Sequence, residues 1–323
     1  MLSLLAYIYG KAADLRNYLY DRRVFETFDL GARTISIGNI TTGGTGKTPL
    51  VAFVADLLAK RGEKVCILTR GYGRDDPKRR VLVSDGERIL ANVRDAGDEP
   101  LELAQKLLGK AIVISDADRI AAAEWAKRKF GVTRFVLDDG FQHRRAGRDV
   151  DIVCIDATNP FGGGKMLPAG RLREPVENLA RADAIVITRA DLAPNIVDLR
   201  HRISELAPQA QVFQLVTSIK NIDEVRKTGA FAFCGLGNPE NFFSQLRENG
   251  IELAGTRTFK DHCIYAKTDV IELEKEAKIA AASALLTTAK DAVKLEDAWF
   301  SMPWVVVAID VTMDANEAFE QML

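Results

Sequence analysis

A glycine-rich segment followed by a lysine and a threonine carries the clearest chemistry in the 323-residue chain. The segment is Gly43, Gly44, Thr45, Gly46, Lys47 and Thr48. It follows an apolar run at residues 34–38 and precedes a helical pattern. Glycines let backbone N–H groups turn toward phosphate oxygens, while the lysine reaches terminal phosphates and the threonine hydroxyl binds Mg²⁺. The segment therefore predicts a loop that binds a nucleoside triphosphate, although Thr41 replaces the glycine that usually opens the motif.

Two adjacent carboxylates, Asp138 and Asp139, end an apolar run at residues 135–137. In a fold with a phosphate-binding loop, an acid at the end of a strand belongs on the Mg²⁺ side. Successive strand residues point to opposite faces, so we expect only one of the two carboxylates close to the ion. The predicted metal ligands are Thr48, Asp138 and Asp139, and capping of a loop is the alternative role for the acids.

Three further residues could move a proton or neutralise phosphoryl charge. Asp98 lies in the string at residues 97–100, where a carboxylate either caps a helix or accepts a proton from an attacking hydroxyl. Arg119 either neutralises a transferring phosphoryl group or forms a surface salt bridge. His262 is one of only three histidines and is a further candidate. Spacing alone leaves these alternatives open.

Four residues are predicted to bind the substrate. Gln142 and His143 directly follow the acid pair, although a lone histidine is more often a hydrogen-bonded structural residue. Arg171 and Arg173 lie at residues 159–175, a stretch rich in glycine and proline that is typical of a long functional loop. Their guanidinium groups suit an anionic substrate, and solvation of the loop is the alternative.

Two strings resemble the TKxD sequence with which many GTPases read the base. They lie at residues 187–191, where Arg189 replaces the lysine, and at residues 288–291. A strand that ends in polar residues produces such strings easily, so base reading is one of two interpretations.

Alternating strand and helix patterns must position these residues. Apolar runs predict strands at residues 33–37, 65–68, 111–114, 134–137, 151–155 and 184–187. Helical patterns lie between them at residues 50–61, 100–108 and 119–130. Several runs are continuous in Val, Ile and Leu, which is typical of strands buried on both faces of a parallel sheet. The order predicts a doubly wound α/β domain like that of P-loop NTPases, with active residues at the carboxyl ends of strands.

A second, smaller α/β pattern begins near residue 228. Its predicted strands lie at residues 230–234, 253–258, 284–287 and 304–309, and its helices at residues 239–249 and 269–282. A hairpin is predicted where residues 81–83 and 88–90 flank a short polar segment. We predict a P-loop domain over residues 1–210, a linker at residues 211–227, and a smaller α/β domain over residues 228–323.

Composition excludes several functional classes. Hydrophobic residues make up 47% and charged residues 28%, as in ordinary soluble globular proteins. The 44 basic and 45 acidic residues give a net charge of −1, so no basic field indicates a nucleic-acid partner. The four cysteines form no CxxC pair, which argues against a zinc knuckle or a redox motif. No apolar run of about 18 residues predicts a transmembrane helix.

Residues 1–23 predict an amphipathic helix. Leucine, isoleucine and tyrosine recur at helical spacing, with Lys11, Arg16, Arg22 and Arg23 on the polar side. The segment lacks the basic start and the cleavage site of a signal peptide. The helix either packs on the domain or lies at a membrane surface in contact with anionic lipid.

Five strings taken together resemble one family. They lie at residues 36–40, 69–73, 97–100, 138–144 and 168–175. On these strings, which follow one another over nearly the whole chain, the sequence resembles the tetraacyldisaccharide 4'-kinases, the lipid A 4'-kinases of Gram-negative bacteria. The resemblance implies Mg²⁺-dependent transfer of the γ-phosphoryl group of ATP to the 4'-hydroxyl of a tetraacylated glucosamine disaccharide 1-phosphate. It also implies two P-loop-like α/β lobes joined by a short two-stranded linker.

The resemblance also implies roles for particular residues. In this family the acid of the GDEP string is the general base and is paired with a histidine of the second lobe, and these positions match Asp98 and His262. Lys47 and Arg119 complete the predicted catalytic set. The family acts at the cytoplasmic face of the inner membrane, so we expect peripheral attachment through the N-terminal helix, without an obligate protein partner.

Three alternatives remain at the level of sequence. The main one is a P-loop ATPase or GTPase that acts as a switch or a metal-insertion factor. The others are a soluble small-molecule kinase or ligase, and a membrane-associated ATP-binding scaffold without turnover.

Overall fold

The structure, a computed structural model, describes residues 2–226 and 229–323 of the chain. Its strands are, in chain order, β1 (Arg33–Asn39), β2 (Val65–Thr69), β3 (Val81–Ser84), β4 (Ala111–Ser115), β5 (Arg134–Asp138), β6 (Val150–Asp156), β7 (Ala184–Thr188), β8 (Gln211–Ile219), β9 (Ala230–Cys234), β10 (Leu253–Thr258), β11 (Ala284–Thr288), β12 (Trp304–Val307) and β13 (Ile309–Met313). Its helices are α1 (Leu2–Asp21), α2 (Lys47–Lys60), α3 (Val93–Ala96), α4 (Asp98–Lys106), α5 (Arg119–Phe130), α6 (Ile196–Leu206), α7 (Ile222–Arg226), α8 (Pro239–Glu248), α9 (Lys267–Ile279), α10 (Ala289–Ala292) and α11 (Asn316–Met322).

The larger sheet has the strand order β13-β8-β7-β6-β1-β5-β2-β4-β3. Its inner pairs are all parallel, and the edge strands β3 and β13 run antiparallel to their neighbours. β1 lies between β5 and β6, where the strand order changes direction across the sheet. Doubly wound sheets bind ligands in the crevice at such a point, beyond the carboxyl ends of the strands.

Helices cover both faces of this sheet. Every residue of β2, β4, β6 and β7 is buried. Apolar residues of α2 and α4 pack on one face, while those of α5 and α6 pack on the other. Burial on both sides explains the continuous Val, Ile and Leu runs of the sequence. The predicted doubly wound α/β class is therefore confirmed.

A smaller sheet has the order β10-β9-β11-β12, with all its pairs parallel. Phe242, Phe243 and Leu246 of α8 pack into one apolar cluster, and Leu273 and Ala277 of α9 pack into another. The smaller lobe is thus also an α/β layer structure, and α8 contributes a side chain, Phe242, to the cleft described below.

Two strands connect the lobes. β8 pairs in parallel with β7 over residues 211–215 and antiparallel with β13 over residues 215–219. The chain returns to the larger sheet at Ile309, and α11 packs there through Phe319 against Phe53 and Phe213. The predicted domain boundary at Lys227 and Thr228 lies outside the described residues, so the domain limits stay a prediction.

Two predicted strand segments differ from the observed ones. The second arm of the predicted hairpin, residues 88–90, forms only an isolated bridge between Ile89 and Ser84, and β3 pairs instead with β4. The predicted strand at residues 304–309 is divided at Ala308. The N–H of Ala308 donates to Asn221 Oδ1 at 2.9 Å, and its carbonyl accepts from the N–H of Lys220 at 2.7 Å. These bonds turn the chain from one sheet into the other.

The predicted N-terminal helix is present as α1. Its buried residues are Ala6, Gly10 and Asn17, whereas most of its leucines and tyrosines are exposed. Within residues 2–226 and 229–323, no helix has the length and apolar character needed to cross a membrane.

Candidate active site

A cavity of about 1090 Å³ opens beyond the carboxyl ends of the central strands, between the two lobes. Most of the predicted site residues line it: Gly43, Gly44, Thr45, Gly46, Lys47, Thr48, Arg119, Asp138, Asp139, Gln142, His143, Arg173 and His262. Asp98 and Arg171 do not line the cavity themselves. Asp98 is hydrogen-bonded to His262, which does line it, and Arg171 contacts the loop at residues 42–43. The fold thus gathers residues from both lobes around one cleft.

The glycine-rich segment connects β1 to α2. Gly43 and Gly46 have positive φ angles of 108° and 77°, which other residues adopt only with strain, so glycine is required at these two turns. In the part of the chain that the structure describes, none of the backbone N–H groups of residues 43–46 donates a hydrogen bond to the protein. These free donors and the N-terminus of α2 form a ready site for an anion.

Neighbouring strand ends support this loop. Asn39 donates to Thr45 Oγ1 at 2.8 Å, and Thr188 Oγ1 donates to the Thr45 carbonyl at 2.9 Å. The guanidinium of Arg189 donates to the Gly44 carbonyl at 3.1 and 3.2 Å and also pairs with Asp156. The carbonyls of Gly44 and Thr45 therefore accept hydrogen bonds from the protein, while the N–H groups of residues 43–46 stay free in the described part of the chain.

Asp138 and Asp139 occupy different environments. Asp138 ends β5, is 5% exposed, and accepts a hydrogen bond from Thr69 Oγ1 at 2.9 Å. Burial and the nearby carboxylates of Glu99 and Asp139 raise the pKa of Asp138 to about 6. Burial also acts to raise the pKa of Asp139, but the charges of Lys47 and Arg173 outweigh it and lower that pKa to about 2.

Lys47 and Arg173 both contact Asp139. Lys47 Nζ lies 3.4 Å from Asp139 Oδ1, and Arg173 Nη1 lies 2.9 and 2.7 Å from the two carboxylate oxygens. Asp139 has a φ of 53°, a left-handed conformation that turns its side chain away from the strand direction. Asp139 is thus neutralised by two cations of the chain itself.

Asp98 and His262 meet across the lobes. His262 Nδ1 lies 2.9 Å from Asp98 Oδ2 and 3.1 Å from Oδ1, although the two residues are 164 positions apart. The hydrogen bond with Asp98 raises the pKa of His262. Burial acts to raise the pKa of Asp98, but His262 and Lys290 outweigh it and lower that pKa. The pair is therefore an imidazolium–carboxylate ion pair over a pH range that extends above 6.5.

Arg119 is 5% exposed, and its Nη2 donates to the Asp138 carbonyl at 3.1 Å. Its guanidinium is therefore fixed beside the acid pair rather than in a surface salt bridge.

Gln142 Nε2 donates to the Asn39 carbonyl at 2.9 Å, whereas its buried Oε1 has no partner among the described residues. Burial and the charge of Arg119 lower the pKa of His143 to about 4, so His143 is neutral at pH 7.

Arg171 and Arg173 diverge in position. Arg171 Nε donates to the Thr42 carbonyl at 3.2 Å, and its guanidinium lies against Gly43. It therefore braces the phosphate loop in this structure, and its predicted contact with substrate stays a prediction. Arg173 lines the cleft beside Asp139, where an anionic group would meet it.

The two strings that resemble TKxD have different surroundings. Asp291 is fully buried, and its carboxylate accepts from Tyr265 Oη at 2.9 Å and pairs with Lys294 at 2.8 Å. A base cannot replace these partners, which argues against base reading by residues 288–291. Asp191 is exposed and lies beside Arg189 in a small side cavity.

Sequence reasoning missed two residues of this wall. Lys290 Nζ lies 3.0 Å from Asp261, 3.5 Å from Glu99 and 3.9 Å from Asp98, and these carboxylates raise its pKa despite burial. The ring of Tyr72, 69% exposed, lies 5.2 Å from the ring of His262 between centroids. Tyr72 lies in the string at residues 69–73, which could have indicated it. Lys290 lies in the string at residues 288–291, which was interpreted as a possible base-reading motif.

Comparisons with known proteins agree on one family. The family model described as "Tetraacyldisaccharide-1-P 4'-kinase", LpxK, matches residues 1–323. A tetraacyldisaccharide 4'-kinase from Geobacter metallireducens is 40% identical over 302 residues, which cover 91% of this chain and 88% of the relative. One from Halothermothrix orenii is 38% identical over 317 residues, with 91% and 82% of the two chains covered.

A solved structure is also similar. The crystal structure of LpxK from Aquifex aeolicus, in complex with ATP, matches with a TM-score of 0.81 and 31% sequence identity. The match covers 98% of this chain and 96% of that one.

Proposed function

The chain belongs to the tetraacyldisaccharide-1-P 4'-kinase family, and from this membership we propose how its cleft works. The protein is an ATP-dependent lipid kinase that transfers the γ-phosphoryl group of ATP to the 4'-hydroxyl of a tetraacylated glucosamine disaccharide 1-phosphate, a step of lipid A biosynthesis. One observation carries this function at the site. The free N–H groups of the phosphate loop and the Asp98–His262 pair belong to the same cleft. A nucleotide-driven switch, the main alternative, is not favoured.

The phosphate loop supplies the donor side. The unpaired N–H groups of residues 43–46 bind phosphate oxygens, and the α2 N-terminus adds its partial positive charge. Lys47 is held by Asp139 at 3.4 Å, so its ammonium is positioned before ATP arrives. Arg119, fixed against the Asp138 carbonyl, offsets the charge that spreads over the phosphoryl oxygens during transfer.

Thr48 and Asp138 are suited to hold Mg²⁺. Asp139 is already neutralised by Lys47 and Arg173. Among the described residues, the carboxylate of Asp138 forms no salt bridge and accepts a hydrogen bond only from the Thr69 hydroxyl. Mg²⁺ usually binds one or two carboxylates together with substrate phosphates, so a single free acid is enough. When bound, the ion neutralises oxygens of the transferring phosphate.

The Asp98–His262 pair serves the acceptor side. The 4'-hydroxyl gives its proton to Asp98 as its oxygen bonds to the γ-phosphorus, and the bond to the β-phosphate oxygen breaks to release ADP. His262, at 2.9 Å, orients the carboxylate and shares the proton. Lys290 fixes the surrounding carboxylates, since its ammonium lies within 3.5 Å of Glu99 and Asp261.

Arg173, Gln142 and His143 are proposed to contact the disaccharide. Arg173 brings a charge to the cleft, and the neutral imidazole of His143 and the free Gln142 Oε1 offer hydrogen bonds to sugar hydroxyls. The two neutral groups can orient the sugar rings by hydrogen bonds, while the charge of Arg173 is available for an anionic group of the substrate.

Helix α1 is proposed to attach the enzyme peripherally to the cytoplasmic face of the bacterial inner membrane. One side of the helix is tied to the site, because Asn17 donates to Glu174 at 2.8 Å and Arg144 donates to the Asn17 carbonyl at 2.9 Å. The other side exposes leucines, isoleucine and tyrosines. Tyr9 and Arg16 of α1 line the cleft, so an acceptor lipid held in the membrane would reach the cleft along this helix.

The decisive experiment follows the label from ATP labelled at the γ position, incubated with the protein and the disaccharide 1-phosphate in detergent micelles. We expect label in the lipid product, and none in the lipid with the Lys47→Ala variant. Label that appears only as free phosphate would overturn the acceptor assignment.

A further inference from the structure

A buried cluster of charged and polar side chains in the smaller lobe adjoins the Asp98–His262 pair and has no role in the reaction as derived above. Its charged members are Asp291 and Lys294, and both are buried. They follow β11 in a segment that begins with the string at residues 288–291. This string forms the turn from β11 into α10, where Thr288 caps the helix, so its resemblance to TKxD has a structural explanation.

The carboxylate of Asp291 is fixed by three donors besides Lys294. Its Oδ2 accepts hydrogen bonds from the Gly235 N–H at 3.0 Å and from Thr288 Oγ1 at 2.8 Å. Its Oδ1 accepts a hydrogen bond from Tyr265 Oη at 2.9 Å. A carboxylate with this many partners cannot rotate freely, so it is a fixed anchor for a neighbouring cation.

The ammonium of Lys294 lies between this anchor and the general base. Its Nζ donates to Asp291 Oδ1 at 2.8 Å and lies 3.9 Å from Asp98 Oδ2. It also lies 5.2 Å from the centroid of the Tyr265 ring, a favourable contact for a cation. Among the described residues, Asp291 is the only hydrogen-bond acceptor of this ammonium, which has three N–H donors. Burial of a charge is costly unless it is paired, so this position between two carboxylates indicates an action on Asp98.

Three cations of the smaller lobe surround Asp98 Oδ2. His262 Nδ1 lies at 2.9 Å, and the Nζ atoms of Lys290 and Lys294 each lie at 3.9 Å. Burial acts to raise the pKa of Asp98, and His262, Lys290 and Lys294 together outweigh it. When His262 is neutral, the two lysines are the charges of this group that still favour the ionised carboxylate.

We propose that Lys294 is a positioning residue for the general base: its buried ammonium, anchored by Asp291, holds Asp98 Oδ2 together with His262 and Lys290. The larger lobe supplies the carboxylate, and the smaller lobe supplies the charges that keep it ionised. This inference rests on the proposed function in that Asp98 accepts the proton of the acceptor hydroxyl. The position of the charges themselves does not depend on the substrate.

The titration of His262 tests the proposal without phosphoryl transfer. The chain has three histidines, so each ring signal can be assigned by substitution and followed by NMR on the full-length protein without nucleotide. Lys294→Met removes the ammonium and keeps an unbranched side chain. With this positive charge gone, the protonated imidazole is favoured, and the His262 midpoint should rise by about half a pH unit to one unit. His143 stays neutral in this range because burial lowers its pKa to about 4, and His201, exposed on α6, is the internal reference.

The pH profile of kcat gives a second measurement. In the proposed mechanism kcat rises as His262 loses its proton, because Asp98 then becomes more basic. Lys294→Met should move this rise to higher pH, so that kcat at a fixed pH on the rising limb falls about threefold to tenfold. The dissociation constant of ATP should stay within a factor of about two, since Lys294 does not line the cleft. A merely structural role would lower kcat at every pH and leave the midpoint in place.

Other titratable and charged groups also face the pair. They are Glu99 and Glu102 of α4, Asp261, Lys290, and Tyr72, whose ring lies against that of His262. Glu102 titrates in the range of the measurement, because burial and Glu99 raise its pKa to about 7. The titration is therefore repeated in a Glu102→Gln background, where the shift caused by Lys294→Met should persist.

Two control variants separate the charge of Lys294 from the integrity of the cluster. Tyr265→Phe removes a hydrogen bond to Asp291 without changing any charge, and Asp291 keeps its bonds to Gly235 and Thr288. Lys275→Met makes the same substitution at an exposed lysine of α9. Both controls should leave the midpoint of the neighbouring histidine unchanged.

A double variant addresses the possibility that Lys294→Met destabilises the lobe by leaving Asp291 without its cation. Lys294→Met/Asp291→Asn removes both charges and should still raise the His262 midpoint, since the lost ammonium is the charge in contact with Asp98. The proposal is wrong if the folded single or double variant keeps the wild-type midpoint or lowers it, or if either control raises it equally. A raised midpoint in a protein that transfers no label to lipid would count against the proposed function and leave the position of Lys294 standing.

Discussion

Asp98 and His262 form the contact on which the chemistry of the acceptor depends. Asp98 is 5% exposed, and its carboxylate lies within 3.1 Å of His262 Nδ1 through both oxygens. A carboxylate held this way is ionised at neutral pH, because its pKa is lowered by His262 and Lys290 against the effect of burial. Its lowered pKa makes it a weak base, so it accepts the proton only as the hydroxyl oxygen bonds to phosphorus and the hydroxyl becomes more acidic.

Asp98→Asn should therefore remove proton acceptance while it keeps the size of the side chain. We expect kcat to fall by about 10²–10⁴, the usual contribution of a general base. ATP binding, measured by equilibrium titration, should stay within a factor of about two, since Asp98 lies outside the phosphate loop. A variant that loses ATP binding and keeps its kcat would instead identify Asp98 as a structural cap.

The pH dependence of kcat should come from His262. The pKa of His262 is raised above its usual 6.5, so the imidazolium loses its proton only above that pH, and Asp98 then becomes more basic. We expect kcat to rise as the pH increases through this raised value. His262→Gln should have a lower kcat and should lack this rise. The profile is measured at saturating ATP and lipid, and an unchanged rise in the variant would assign it to another group.

The same ion pair contributes to stability at the contact between the two lobes, and the sign of its pH dependence follows from the two pKa shifts. Because the folded pKa of His262 is raised, its stabilisation is complete below 6.5 and disappears as the pH rises through the folded value. At low pH the stabilisation is limited by Asp98, whose pKa in the folded protein is lowered below 3.8. The contribution of Asp98 to stability is lost as the pH falls below 3.8 and through this folded value.

Residue patterns anticipated the donor half of the site better than the acceptor half. The phosphate loop and Asp138 are local signals, because each follows a strand of recognisable composition. The contact between Asp98 and His262 joins positions that are 164 residues apart, and no spacing rule predicts it. It was expected only through family resemblance. Lys290 was missed because the string around it also matches an unrelated motif.

Among the secondary-structure elements, α1 shows that hydrophobic periodicity can predict a helix without predicting which side of it is buried. Apolar residues at helical spacing predicted the helix correctly, but they did not reveal which side is buried. The buried positions are Ala6, Gly10 and Asn17, where small size lets the helix approach the loop, as Gly10 does at Met166. The large apolar residues face outward instead, and a helix with that arrangement is suited to a lipid surface.

This face can be tested by a triple substitution to serine. The residues to change are Leu4, Ile8 and Leu15, which are 63%, 54% and 58% exposed. Binding to liposomes of anionic lipid, measured by sedimentation, should weaken at least about tenfold because apolar area no longer enters the membrane. ATP affinity should not change, since none of the three lines the cleft.

The matched control makes the same change at exposed apolar residues elsewhere, namely Leu90, Val197 and Ile279. Its liposome binding should equal that of the wild type. Equal losses of liposome binding in both variants would indicate nonspecific hydrophobic adsorption to lipid. No loss in either variant would mean that α1 serves only to pack on the larger lobe.

For the whole molecule, the chain crosses between the lobes twice. β8 leaves the larger sheet, and β13 brings the chain back, so the last residues stabilise the first lobe. The residue pattern did not show this return, because residues 304–309 read as one apolar run and the break at Ala308 depends on its hydrogen bonds with the N–H of Lys220 and the side chain of Asn221. Only the family resemblance, which implies a two-stranded linker, indicated it. A linear division of the sequence therefore cannot describe the topology.

The buried ring of Phe319 makes this return measurable. It is 0% exposed and lies 6.3 Å from the ring of Phe53 and 5.1 Å from that of Phe213. Phe319→Ala should lower the free energy of unfolding by about 3–5 kcal/mol, measured by urea denaturation, because it leaves a cavity in the core of the larger lobe. Hydrogen exchange should accelerate first in α2, β8 and β13. Glu317→Ala, at an exposed position of the same helix, should change little. Faster exchange confined to β9, β10 and β11 would show that the C-terminal helix belongs energetically to the smaller lobe.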